Sequence, residues 1–516
     1  MTSETQNQSS ITRTATRFCP RATTRLLSGW GAILMLLALT AATVVGSAQP
    51  LRQLPENPCY FEWRGRPLVL ITSAEHYGAV LNLDFDFKRY LATLQRDGMN
   101  YTRLFSGSYV EPVGAFGITR NTLAPAPGRC LSPWKRSTEV GYAGGGNKFD
   151  LEHWDPAYLA RLKEFLAEAG RCGIIVELDL FCATYSDQQW AVSPFNPTNN
   201  VNGITLTRWQ SLNTLTNANV LPHQEKLARY LARELNALDN LFYEIQNEPW
   251  SDNHTMGDYI NPYLVEKHSF PNAVEIATPG AIAWQARIAS VLADEERSLP
   301  QQHLIAQNIA NFRLSVRPED LVPRAAVLNF HYAYPEAALW NAGLGKIIGC
   351  DETGFAGSAD STYRRQAWNF LFAGGGLFNN LDYSFSVGHE DGTDSQPSSP
   401  GGGSAELRRQ LKVLSQFMNS FDLRTLEPDL TAAKKSPGAV VRVLSTPGKA
   451  YAAYIRGRGP VELALDLPKG RYRAEWIDVV NGRSLRTEAY SHAGGTIALL
   501  SPDFQDDIAL RVSRVH

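Results

Sequence analysis

The sequence predicts an eight-stranded parallel (β/α)8 barrel, an α/β fold, followed by a small antiparallel β-sandwich. Three observations carry this: short apolar runs alternate with helical periodicity, the alternation repeats eight times, and the texture then shifts to short runs punctuated by glycine. Of the 516 residues, 44% are hydrophobic and only 19% charged, which supports a sizeable core and excludes a disordered or fibrous chain.

Residues 1–48 read as an export segment. A polar, arginine-bearing stretch precedes the apolar run Leu26 to Val45, which ends in Gly46, Ser47 and Ala48, the order of a secretory signal with cleavage near Ala48. At about 20 residues the run is also long enough for an uncleaved anchor. No later stretch could span a membrane, so the expected location is secreted or periplasmic. Without this segment the chain carries 45 basic against 50 acidic residues, a net charge of −5 that argues against a nucleic-acid partner. The five later cysteines are sparse and odd in number, with no CxxC, so one or two bridges are possible and a zinc site is not supported.

In the predicted barrel domain, residues 49–428, a hairpin from Tyr60 to Trp63 turns at Arg64-Gly65-Arg66. Strands are expected at Leu68–Thr72, Asn100–Phe105, Gly173–Leu180, Leu241–Gln246, His303–Asn308, Val327–His331, Lys346–Cys350 and Gly376–Asp382. The first helix keeps Phe87, Tyr90, Leu91 and Leu94 on one face and stops at Gly98, a residue free to take a left-handed cap. Asp155-Pro156 opens a second helix with a capping carboxylate and a first-turn proline. Further helices read at Gly280–Leu292, Tyr363–Phe372 and Ala405–Phe421. An open doubly wound sheet is the competing arrangement, but the first strand lacks the GxGxxG turn of dinucleotide-binding versions. Long loops at 106–154 and 186–221 suit the walls of a cleft, and the stretch Gln396 to Gly403 reads as a loop after the last strand. In the predicted sandwich domain, residues 429–516, strands are expected at Ala439–Leu444, Ala450–Ile455, Val461–Leu465, Tyr472–Trp476 and Ile508–Val512.

Reacting groups in such a barrel sit where strands end, which singles out Glu248 in Leu241-Phe-Tyr-Glu-Ile-Gln-Asn-Glu-Pro-Trp250 and Glu352 in Lys346-Ile-Ile-Gly-Cys-Asp-Glu-Thr-Gly-Phe355. Rivals are Glu75, Glu177, Asp179, Asp351 and Asp382. Strand alternation sends Asp351 and Glu352 to opposite sides, so only one is expected to face the centre.

An Asn-Glu-Pro at the fourth strand, with a second strand-end glutamate 104 residues later, resembles the clan-A retaining glycoside hydrolases, the superfamily of cellulases and β-mannanases. The resemblance spans about residues 60 to 425 and assigns no subfamily. It implies a secreted enzyme cleaving β-linked oligo- or polysaccharides through a covalent glycosyl-enzyme, with no cofactor and no metal. Glu248 would be the acid/base, Glu352 the nucleophile, Asn247 the partner of the sugar's 2-hydroxyl, and Arg103 the arginine that keeps the nucleophile ionised. His331 matches the clan's sixth-strand histidine, but the tyrosine of its His-x-Tyr falls on Ala333, so that role passes to Tyr332 or Tyr334, or lapses. The third strand lacks the usual histidine, and the eighth ends Asn379-Asn-Leu-Asp-Tyr383 where a tryptophan floor is common. Trp134, Trp154, Trp190, Trp209 and Trp250 fall in loops and as a set favour a carbohydrate cleft, with Trp190, Trp250 and the strand-end Asp382 as candidate substrate contacts.

Chemistry supplies the same reading independently. Retaining cleavage needs two carboxyls about 5 to 5.5 Å apart, one protonated and one ionised, and close like charges raise the pKa of one. No GxSxG, phosphate-loop or HExxH pattern competes. The alternatives are a noncatalytic glycan-binding protein on a retained barrel, or a transglycosylase.

Overall fold

A computed structural model describes residues 49–260, 270–395 and 397–515; the expected export segment lies outside them. Eight parallel strands form the barrel: β1 (Leu70–Ala74), β2 (Tyr101–Phe105), β3 (Ile175–Cys182), β4 (Leu241–Asn247), β5 (Ile305–Asn311), β6 (Val327–His331), β7 (Ile347–Glu352) and β8 (Leu377–Leu381). Hydrogen-bonded ladders run from β1 through β8 and back along the sheet to β2. At the β1–β2 seam, Asn100 stands in for a ladder: its amide accepts from Ile71 N at 2.8 Å and donates to Val69 O at 2.8 Å.

Helices α1 (Phe87–Asp97), α2 (Pro156–Arg171), α3 (Leu221–Leu235), α4 (Pro279–Glu296), α5 (Pro335–Asn341), α6 (Asp360–Leu371) and α7 (Ala405–Met418) follow every strand except β5. After β5 there is only a short 3-10 turn, Pro318–Asp320. Gly98 ends α1 at φ 80° and Asp155 caps α2, as the sequence predicts, while the N-cap of α1 is Asp86.

Side-chain alternation fills the barrel in layers. The lowest is apolar and takes one residue from each strand, Leu70, Tyr101, Ile175, Phe242, Ala306, Val327, Ile347 and Leu377, plugged by Phe61 of the N-terminal hairpin sheet. The next layer up is largely polar: Arg103, Glu177, Glu244, Asn308, Asn329 and Asn379 are fully buried. Gly349 belongs to it because a Cβ there would lie 2.1 Å from Asn329 Oδ1.

Two antiparallel hairpins were not evident in the sequence. Trp134–Val140 pairs with Asn147–Trp154 inside the β2–α2 connection. His254–Tyr259 pairs with Ala273–Ala277 after β4, and the latter reaches β5 through Ile276 and Ala310. All five cysteines among the described residues are unpaired, so the bridges the sequence allowed are not formed.

From Glu427 the chain forms a six-stranded and a three-stranded antiparallel sheet with their own apolar core around Trp476. One face packs on the barrel's helices, where Trp368 of α6 stacks on Tyr454 at 5.2 Å. Beside it Arg364 makes a two-pronged ion pair with Asp507, at 2.7 and 3.1 Å, that Tyr454 completes at 2.8 Å. Breaking such a pair strands a buried charge. Arg364→Ala is expected to cost about 3–5 kcal/mol, read as a lower urea midpoint for the full chain, whereas Arg365→Ala on the same helix, whose arginine is part-exposed, leaves the midpoint nearly unchanged.

Candidate active site

The fourth strand ends abruptly. Glu248 follows β4 in the left-handed region, at φ 47° and ψ 56°, and starts the short helix Pro249–Asp252. A non-glycine residue held there stores about 1–3 kcal/mol of strain. Pro249 fixes the next φ, and Asp252 anchors the turn by accepting from Gln246, Asn213 and the Thr184 backbone. Glu248 makes no side-chain cap bond. Its carboxylate enters the barrel mouth, so it is not there to serve the helix dipole.

Glu352 ends β7 opposite it. One oxygen from each carboxyl and one nitrogen of His331 all lie within 4.8 Å of one another. The Tyr332 hydroxyl bridges the two acids, 3.2 Å from Glu248 and 2.8 Å from Glu352. Of the two tyrosines the sequence offered, Tyr332 is the one whose hydroxyl reaches both acids. Tyr334 does not: that residue sits on the outer side, 36% exposed and against Phe312.

Asp351 and Glu352 both face the centre, contrary to the alternation expected. The β6–β7 register explains it. Phe330 pairs with Cys350 but His331 pairs with Glu352, so Asp351 is an extra, bulged residue and the usual two-sided alternation is broken. Asp351 lies 3.2 Å from Arg103 and 3.4 Å from His331.

Arg103 binds more than Glu352. It reaches Glu244 at 2.8 Å, Asn247 at 2.9 Å, Asp179 at 3.0 Å and Asp351 at 3.2 Å, while Glu352, at 3.5 Å, is a looser partner. The Asn247 amide, oriented by Arg103, donates to the Tyr185 hydroxyl at 2.7 Å. Tyr185 was not singled out in the sequence, nor were Tyr77, whose hydroxyl donates to Glu352 at 3.1 Å, His76, Phe116 or Phe355. They sit in loops, where no periodicity marks an inward position.

Asp382 is not at the cleft. It is buried in a pair with Arg408 at 2.6 Å and accepts from Ser73 at 2.7 Å, which ties β8 to α7 and β1. Nor do the tryptophans form open platforms. Trp134 packs on Phe195, Trp154 stacks on Tyr230, Trp209 donates to Asp187, and Trp190 is buried beneath its own short helix. Trp250 reaches the cleft floor but is 1% exposed and edge-on to His331 at 5.2 Å. Their apolar bulk holds the long loops in place, and the cleft is lined by tyrosine and phenylalanine.

The cleft has two adjoining lobes. The deeper, about 420 Å³ including its opening to solvent, contains Glu352, Asn247, His76, Glu111 and Tyr383. The outer, about 760 Å³ by the same measure, contains Trp250, His254, Phe270 and Glu275. Glu248, Tyr332, Tyr185, Phe116 and Phe355 border both, whereas Glu352 belongs to the deeper one alone.

Burial works to depress the His331 pKa, but Asp351 and Glu352 overcome it and raise the imidazole to about 10. His331 is thus a cation at neutral pH. This makes it a poor metal ligand, although it converges with Glu248 and Glu352, and with Glu244 and Asp351, at ligand-like distances. Burial pushes Glu352 up, with the His331 cation opposing and Glu248 reinforcing. Burial also acts to raise Glu248, but its hydrogen bond from His331 holds it below the usual glutamate value. Below them burial raises Glu177 to about 7 and lifts Asp179 and Glu244, so one arginine need not balance every carboxylate.

No family model matches the chain, and no curated protein matches it in sequence. Solved structures do share its fold. A glycoside hydrolase family 5 protein from Bacteroides vulgatus superposes with a TM-score of 0.57 at 13% identity, over 90% of this chain and 93% of that one. Another glycoside hydrolase gives 0.58 at 12% identity, over 90% and 97%. The fold is the barrel-plus-sandwich that these glycoside hydrolases have.

The buried acids set the pH dependence of stability. Burial raises Glu75 and Asp252 to about 7 from ordinary values of 4.5 and 3.8. A raised carboxyl stabilises the fold fully below its unfolded pKa, and that stability is lost as pH rises through the folded value. The raised His331 likewise contributes fully below 6.5 and loses its share as pH climbs through about 10. The urea midpoint is expected to fall from pH 5 to pH 9, and Glu75→Gln to flatten the part below pH 7.

Proposed function

We propose that this protein is a retaining glycoside hydrolase of the clan-A superfamily, acting on β-linked sugars outside the cytoplasm. The observation that carries the reading is the convergence of Glu248 and Glu352, with oxygens within 4.8 Å, at the mouth of a barrel of this fold. Such closeness suits a direct attack, since inverting enzymes hold their carboxyls about 6.5–9.5 Å apart to admit a water between them. Export is supported by the apolar run Leu26 to Val45 and the small residues that end it, and no helix among the described residues is long and apolar enough to cross a membrane.

The two lobes support this division of roles. A sugar ring in the deeper lobe has Glu352 beneath its anomeric carbon, and the leaving oxygen lies at the boundary, beside Glu248. A Glu352 oxygen bonds to the anomeric carbon as the bond to the leaving oxygen breaks, and Glu248 gives that oxygen its proton. Glu248 then takes a proton from water as the water attacks the glycosyl-enzyme, releasing Glu352. Tyr77, Tyr332 and Arg103 surround Glu352 with donors that favour its ionised form. Asn247, fixed by Arg103, faces the deeper lobe where a 2-hydroxyl would lie.

Glu352→Ala is expected to lower kcat on aryl β-glycosides by about 10³-fold or more, a loss of covalent catalysis. In Glu248→Ala, formation of the glycosyl-enzyme from a 2,4-dinitrophenyl glycoside is retained, because that leaving group needs no proton, while its hydrolysis slows for want of the base, and azide restores turnover with formation of a β-glycosyl azide. If the wild type binds glycans but hydrolyses none, the protein is a glycan-binding one and the reading fails.

His331 offers a signed test. Its charge lowers both Glu248 and Glu352, so His331→Gln lets both rise, and both limbs of the kcat/KM profile move to higher pH. An unshifted profile would mean that His331 only fills space.

A further inference from the structure

Ile118 and Pro400 line the deeper lobe and not the outer one. Next to these two residues, two connections that are far apart in sequence are sewn together. Thr119 N donates to Ser398 O at 2.9 Å, and Ser398 N donates back to Thr119 Oγ1 at 3.0 Å. Beside them Arg120 grips Asp394 with two nitrogens, at 2.7 and 2.5 Å. The loop after β2 and the loop after β8 are thereby joined beside the deeper lobe, where a cleft for a long polymer would stay open.

Within the deeper lobe is a polar pair the two-glutamate chemistry does not use. Glu111 is nearly buried, its side chain 3% exposed, and is held from behind by Tyr109 and Asn121. The His76 ring lies between Tyr77 and Tyr383, with its side chain 13% exposed and Nε2 3.6 Å from Glu111. That distance is too long for a hydrogen bond, and neither ring nitrogen makes one among the described residues. Burial opposes charge on His76, but Glu111 and Glu352 raise its pKa. A donor without a partner and a pre-oriented acceptor thus face the same small space, and buried polar groups of this kind call for one.

We infer that His76 and Glu111 bind hydroxyls on the far side of a single terminal sugar, so that the enzyme removes one residue at a time from the non-reducing end. The inference rests on the hydrolase reading above and adds to it the mode of attack and two specificity-determining residues. A ring seated with its anomeric carbon at Glu352 puts its 3-, 4- and 6-hydroxyls toward His76 and Glu111. A further sugar attached there would collide with the joined loops, so internal units of a chain are excluded. The imidazole donates to one hydroxyl and the carboxylate accepts from it or its neighbour. A site built in this way rejects an analogue that lacks the hydroxyl, because its buried polar groups are left unpaired.

The test uses the full chain and 2,4-dinitrophenyl β-glycosides of glucose, galactose and mannose, with the 3-, 4- and 6-deoxy forms of whichever is cleaved fastest. For wild type, removing one of these hydroxyls should lower kcat/KM by about 10²-fold. In Glu111→Gln and His76→Gln, whose shapes are conserved and whose folding is checked by their urea midpoints, the same removal should cost less than about a fifth as much. Comparing the two losses cancels the deoxy sugar's own change in reactivity. From a β-linked oligosaccharide of the same sugar labelled at its reducing end, the first labelled product should be shorter by one unit. Equal deoxy penalties in wild type and both variants, or first products cut internally, would overturn the inference while leaving the hydrolase reading intact. Failure of wild type on every aryl glycoside would remove the hydrolase reading, and this inference with it.

Discussion

The Arg103 guanidinium is the constraint from which the centre of the molecule is built. It is fully buried, and among its partners are Glu244, Asp179, Asp351 and Asn247. A charge so placed is tolerable only where acceptors surround it at good geometry. The polar layer of the barrel supplies them, and in turn that layer is tolerable because Arg103 and His331 offset its carboxylates and burial raises the pKa of Glu177, Asp179 and Glu244. The apolar layer below keeps water out of the arrangement. Positioning then propagates upward: Arg103 orients Asn247, the neighbour of Glu248, and touches Glu352 from beneath.

Two local departures from regular geometry bring the carboxyls together. Glu248 leaves its strand in a left-handed conformation, and Asp351 is bulged. Without the bulge, alternation would have allowed only one of Asp351 and Glu352 to face inward. With it, Asp351 serves the charge network while the next residue reaches the cleft and Tyr332. Tyr332, also at positive φ, 54°, joins the two acids through one hydroxyl. Strain of this kind persists where surrounding contacts over-determine it, and here the Asp252 anchor and the β6–β7 ladder do so.

The loops divide the labour of recognition. Long connections after β2 and β3 are stabilised by buried tryptophans, which leaves tyrosine and phenylalanine to line the cleft. The sugar platforms expected of tryptophan were read from composition. Composition does not say which face of a connection an indole takes, and a large apolar ring is buried more favourably.

By itself the sequence determined the barrel, its order of strands and helices, the change to antiparallel sheets, and the two strand-end glutamates, because periodicity, caps and strand ends are local properties that each segment carries with it. Tertiary structure alone decided that Tyr332 bridges the acids while Tyr334 turns away, that Asp382 holds a helix, that Asp351 faces inward, and that His76 meets Glu111 in the deeper lobe. Those outcomes depend on register shifts and on pairings such as Thr119 with Ser398, 279 residues apart, and no local pattern encodes the position of a partner that distant.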